Sequence, residues 1–258
     1  MAWRTSLMIA ILALLACAPE ANGQKPGGPP APQEAAPMAP LRWRTVLVAG
    51  DASLPVWDNA VQRLLAGLQS AQALAGEPLR LTSAGKGSGG AAATTEAVLQ
   101  AVAGLRPEQG EGCLIFATSH GIPRMGLSLT QSPQQPLSAQ ALDAALSRGG
   151  CARAPSLVII SGCYSGDFAR VLARPNRAVL TASRADRPSF GCGAGFRFTV
   201  FDECLLDTLE QRAPLWSDTV TRVRSCVTRR EQEMRVEPSE PQASQGAAMA
   251  GLRAPLSR

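Results

Sequence analysis

"CLIFATSHGI", Cys113 to Ile122, decides how this chain is read. Six apolar or small residues in a row predict a strand covered on both faces, because a strand with one wet face would alternate. The run stops at Ser119-His120-Gly121, and His120 is the only histidine in 258 residues. A second stretch, "LVIISGCYSG" from Leu157 to Gly166, has the same construction with Cys163 where the histidine stood. Both residues therefore belong to the carboxyl ends of buried strands.

Outward from these two strands, the chain alternates. "RTVLVAG" (Arg44 to Gly50), "LRLTS" (from Leu79) and "AVLTAS" (from Ala178) are further strands. Between them, Val61, Leu64, Leu65, Leu68, Ala71 and Leu74 show the three-and-four spacing of an amphipathic helix. Thr94 and Ser138 are placed to cap helices running to about Leu105 and Ser147. Further helices are predicted at Gly166 to Leu172, Phe198 to Gln211 and Trp216 to Met234, and the turn-rich "GIPRMGLSLTQSPQQP" predicts a small hairpin. Strand and helix alternate five times, which predicts an α/β domain with a mainly parallel sheet and helices on both faces. Ligands bind beyond the carboxyl ends of such sheets. His120 and Cys163 share that edge, and strands about 5 Å apart would let them meet.

Composition bounds the rest. Hydrophobic residues make up 45% and charged residues 17%, enough for a packed core of Leu, Val, Ile and Ala, since aromatics reach only 4%. Residues 1–17 read as an export leader: one arginine, then an apolar run of about ten residues, too short to span a bilayer. "LLAC" at its end has the form of a lipidation site at Cys17, which would hold the chain to a membrane of the bacterial envelope; cleavage at "APEANG" is the competing reading. Residues 18–40 are a Pro/Ala/Gly spacer without the apolar surface to order itself. The domain is expected at 41–245 and a flexible tail at 246–258. The late arginines (Arg222, Arg224, Arg229, Arg230, Arg235) are interrupted by acids and predict a solvated helix face, and nothing resembles a nucleic-acid module. "AGKGSGG" lacks the order of a phosphate loop. One histidine and no C-x-x-C leave no set of metal ligands. Of the remaining cysteines, Cys113 reads as a small buried hydrophobe. Cys192 is open between disulfide, buried thiol and redox control point.

A thiol attacks a carbonyl once an imidazole has taken its proton, and the imidazole then protonates the leaving amine. His120 and Cys163 are those two groups. Gly121 lets the backbone approach, and its N–H with that of Cys163 would form an oxyanion hole. Ser165 falls one place late for a serine elbow. Trp57, Tyr164 and Trp216 read as packing residues.

These motifs, with "VLVAG", "VWDNA", "LTASRADRPSFGCG", "FTVF" and "EPSEPQ", resemble the legumain family of cysteine peptidases over about Val46 to Gln245. The resemblance implies a caspase-like three-layer fold. It also implies a His120–Cys163 dyad without metal or organic cofactor, and hydrolysis of protein or peptide substrates through a thioester. It leaves open transpeptidation, and a non-catalytic caspase-like module that binds peptides of the envelope. In asparagine-specific legumains the specificity pocket uses an Arg-His pair, a glutamate and a late acid. Here those positions align with Trp57 and Asp58, with Ser161, and with Glu203 beside Asp202. Asp58 with Asp202 or Glu203 would make a pocket for a basic residue, unless these carboxylates serve their helices. Ser183 and Ser189 would form the pocket wall.

Overall fold

The computed structural model describes Met1, Trp3 and residues 36–84, 89–211 and 214–257. The expected leader, the lipidation site at Cys17 and most of the 18–40 spacer lie outside the described residues, as does the middle of the glycine-serine loop. The chain divides into residues 1–34 and 35–258, and the fold is that of the second unit.

Strands β1 (Arg42–Ala49), β2 (Leu79–Thr82), β3 (Ala91–Ala92), β4 (Glu111–Thr118), β7 (Ser156–Ser161), β8 (Arg177–Thr181) and β9 (Gln242–Gln245) form one sheet in the order β3-β2-β1-β4-β7-β8-β9. All neighbours are parallel except β8 and β9. The order reverses between β1 and β4, so the switch point lies one strand from the tip carrying Cys163. A separate antiparallel pair, β5 (Gly121–Ile122) and β6 (Gly126–Leu127), is the hairpin expected after His120.

Alternation within the apolar strands splits the core into two layers. Leu47, Leu114, Phe116, Leu157, Ile159 and Leu180 face α1 (Val56–Ser70), α5 (Val200–Glu210) and α6 (Trp216–Met234). Val46, Val48, Ile115, Ala117, Val158, Ile160 and Val179 face α2 (Thr95–Gly104), α3 (Ala139–Arg148) and α4 (Gly166–Val171). The two expected caps form: Thr94 Oγ1 accepts from Ala97 N–H at 3.1 Å and Ser138 Oγ from Ala141 N–H at 3.2 Å.

Two expectations change. Cys113 is not a lone thiol but is joined to Cys151, and Cys204 to Cys226. Cys113 faces the α2–α3 layer, where a turn at Gly150–Ala152 lays Cys151 against β4, a proximity the linear sequence hides. Of the expected flexible tail, the described residues 246–257 are not loose either. Met249, Leu252, Ala254 and Leu256 are buried against the α1–α5–α6 layer. Their irregular spacing suits a covering loop and carries no helical or strand period. Trp216 N–H donates to Leu252 O at 2.8 Å, and Met38 N–H to Gly251 O at 2.7 Å.

Candidate active site

The register of β4 and β7 sets the site. Thr118 lies opposite Ser161, and Ser119 N–H donates to Ser161 O at 3.0 Å, so the residues that follow each strand emerge side by side. Gly121 lies so close to the nucleophile turn that a Cβ there would fall 1.7 Å from Cys163 O. A Cβ on Gly162 would fall 2.9 Å from Ser119 O. No residue with a side chain fits at Gly121 without separating the two tips. His120 is exposed, and its imidazole meets the Trp57 indole edge-on, with ring centroids 4.7 Å apart. Trp57 itself is buried at the start of α1, so one packing residue also supports the imidazole.

Serines fix the turn that presents Cys163. Ser183 Oγ donates to Gly162 O at 3.2 Å and accepts from Ser165 N–H at 3.3 Å, while Ser165 Oγ accepts from Ser183 N–H at 3.3 Å. Ser165 is buried and engaged in this lock, which removes it as a competing nucleophile. Tyr164 adopts a left-handed φ of 57° and its N–H donates to Arg187 O at 2.8 Å. The result is a sharp elbow before α4. Cys163 Sγ then faces Ser189: it receives that residue's N–H at 3.3 Å and lies 3.5 Å from its carbonyl oxygen. Ser183 and Ser189, expected in a pocket wall, are thus a brace and a direct neighbour of the sulfur.

The three acids part company. Asp58 receives Arg80 Nη2 and Gln62 Nε2, each at 2.6 Å. Glu203 pairs with Arg230 at 2.9 Å. Asp202, fully buried, accepts from Thr118 Oγ1 at 2.7 Å beneath the strand tips, and its Oδ1 has no hydrogen-bond partner among the described residues. Burial pushes its carboxyl up to about 6, against the opposing pull of the Thr118, Ser161 and Thr199 hydroxyls. Thr118 and Ser161 are therefore the seat of this acid. The family resemblance had set Ser161 and Asp202 in one pocket, but nothing in the sequence tied Thr118 to residue 202.

The wall loop is held by the "EPSEPQ" segment. Glu231 is buried and accepts from Ser239 N–H on both oxygens at 3.1 Å, and Ser239 O accepts from Arg184 N–H at 2.8 Å. Arg187 donates to Pro238 O at 2.9 Å. These contacts hold a stretch distant in the chain against the loop that follows β8.

The sequence profile of the Peptidase C13 family matches residues 98–244, a span that contains both tips. No curated protein matches. Among solved structures, the chain is similar to caspase-1 from Spodoptera frugiperda, with a TM-score of 0.57 and 13% identity over 86% of this chain and 93% of that one. At that identity the likeness is one of fold: a caspase-like α/β sandwich.

Proposed function

The chain belongs to the Peptidase C13 family, and from that premise we propose that it is an exported cysteine endopeptidase working through His120 and Cys163. The observation that carries the reading is the fit of Gly121 against the Cys163 backbone, because it brings an imidazole-bearing tip and a thiol-bearing tip into one wall of backbone. His120 takes the thiol proton as Cys163 Sγ attacks the scissile carbonyl. The new oxyanion sits against the N–H groups of Gly121 and Cys163, each such donor being worth roughly 3 kcal/mol in the transition state. The proton passes to the leaving amine, the C–N bond breaks and a thioester remains. His120 then takes a proton from water, whose oxygen releases the acyl group and frees the thiol.

For the residue ahead of the scissile bond, the acidic-pocket reading would need one of these acids released, since Asp58 and Glu203 serve arginines and Asp202 is fully buried. Comparing Arg, Lys and Asn reporter peptides tests it; a clear preference for Asn ends it. Export is supported by the two disulfides, which suit an oxidising compartment. Membrane attachment through Cys17 would appear as fatty-acid incorporation that Cys17→Ala abolishes.

The decisive experiment is labelling with a thiol-directed peptide electrophile under reducing conditions, beside Cys163→Ala. Modification at Cys163 with reporter hydrolysis is expected. Neither labelling nor hydrolysis would leave a peptide-binding module instead.

A further inference from the structure

Among the described cysteines, four are paired, which leaves Cys163 and Cys192 as thiols, both half-buried. They are not independent. Ser189 touches the Cys163 sulfur through its amide, carbonyl and hydroxyl. Cys192 follows three residues later, within about 10 Å of chain even if fully extended. The chain is not extended: Gly191 takes a φ of 94°, tight against Thr199 and Val200, and Phe190 O accepts from Val200 N–H at 3.0 Å. Cys192 is itself half-buried against the core layer that holds Phe198 and Val200. Burial, and after it the charge of Cys163, pushes the Cys192 thiol up. Beyond Cys192 the loop is open, since an added Cβ at Gly193 or Gly195 would meet nothing within 4 Å. That leaves room for the Cα atoms to reach the roughly 4.4–6.8 Å a disulfide requires.

We infer that Cys163 and Cys192 join in a reversible disulfide that switches the site off under oxidising conditions. The inference rests on the peptidase reading only in treating Cys163 as the thiol whose loss silences the enzyme. The oxidant is a low-molecular-weight disulfide. Cys163 attacks one of its sulfurs and releases one small thiol, leaving a mixed disulfide. Cys192, once deprotonated, attacks the Cys163 sulfur and releases the second small thiol. Two protein thiols and one small disulfide thus become one protein disulfide and two small thiols, and the two electrons pass to the oxidant. A thiol that holds its proton tightly is a slow attacker near neutrality, so closure speeds up as pH rises.

The test treats the full chain with oxidised glutathione and maps its cysteines by mass spectrometry after proteolysis without reduction. A Cys163–Cys192 linked peptide is expected, formed faster at higher pH. Reporter turnover should fall below about a tenth and return on reduction, a change driven by the thiol–disulfide balance. Cys192→Ser should keep its basal turnover and finish as the glutathione adduct of Cys163. Wild-type protein that finishes as that adduct, with Cys192 still free, would overturn the latch. The mapping needs no turnover, so the two readings fail separately. A link without electrophile labelling of the reduced protein removes the peptidase and keeps the latch; labelling without a link does the reverse.

Discussion

Asp202→Asn removes a buried ionisation while nearly preserving shape, and its effect on stability should depend on pH in a definite direction. The carboxyl moves from 3.8 to about 6 on folding. That difference of about 2 units, at 1.36 kcal/mol each, corresponds to about 3 kcal/mol. The folded state holds the proton more tightly than the unfolded state. Its contribution is therefore complete below about pH 3.8 and is lost as pH rises through about 6. The asparagine variant has no such proton to lose. Whatever constant offset follows from altered bonds to Thr118, the stability difference should move in favour of the variant as pH increases. Most of the roughly 3 kcal/mol should develop between about pH 4 and pH 8. Urea unfolding of both proteins, with disulfides intact, reads this directly. At a slope near 2 kcal/mol/M, the gap between midpoints changes by about 1.5 M. A gap that stays constant across the range would show that Asp202 does not carry a displaced ionisation, and the account of the acid beneath the strand tips would fail.

Other outcomes follow from particular contacts. Gly121→Ala must displace Cys163 O, so reporter turnover should drop by about 100-fold or more, the scale of one lost oxyanion donor, with circular dichroism unchanged; ordinary turnover would refute the close approach. His120→Ala should lose about 10²–10⁴ in kcat/KM, with Cys163→Ala inactive and both variants folded. Leu256→Ala should lower unfolding stability by about 2–5 kcal/mol, whereas a loose tail would tolerate it without cost. Replacing both Cys113 and Cys151 by serine releases a 38-residue separation and should cost about 4 kcal/mol in urea titrations.

The sheet was legible because its strands are apolar on both faces, and such runs at β1, β4, β7 and β8 admit few other readings. Helix starts were legible where a hydroxyl stood one residue ahead, as at Thr94 and Ser138. The placement of His120 and Cys163 at strand ends on one sheet edge followed from the sequence, while the adjacency of the two tips came from the pairing of β4 with β7. What escaped the sequence depends on residues far apart in the chain. Cys113 meets Cys151 only because a short helical turn folds over β4. Met249 to Leu256 show no period because they fill a gap between helices already formed. The roles of Asp58 and Glu203 were undecidable in one dimension, since their fates were set by Arg80 and Arg230. The serine lock between Ser165 and Ser183 likewise joins two loops that only the sheet order brings together.

The hydrogen bond between Met38 and Gly251 has a practical reach. It lies where β1 begins, while His120 and Cys163 stand where β4 and β7 finish, and the eight residues of β1 alone rise about 26 Å. An affinity handle, a fluorophore or a solid support coupled ahead of residue 38 would leave the substrate entrance on the opposite side unobstructed. Ser257 borders the same cavity as Ala39, so joining the two by a short linker, and reopening the chain at an exposed turn, offers a permuted protein with its cleft undisturbed.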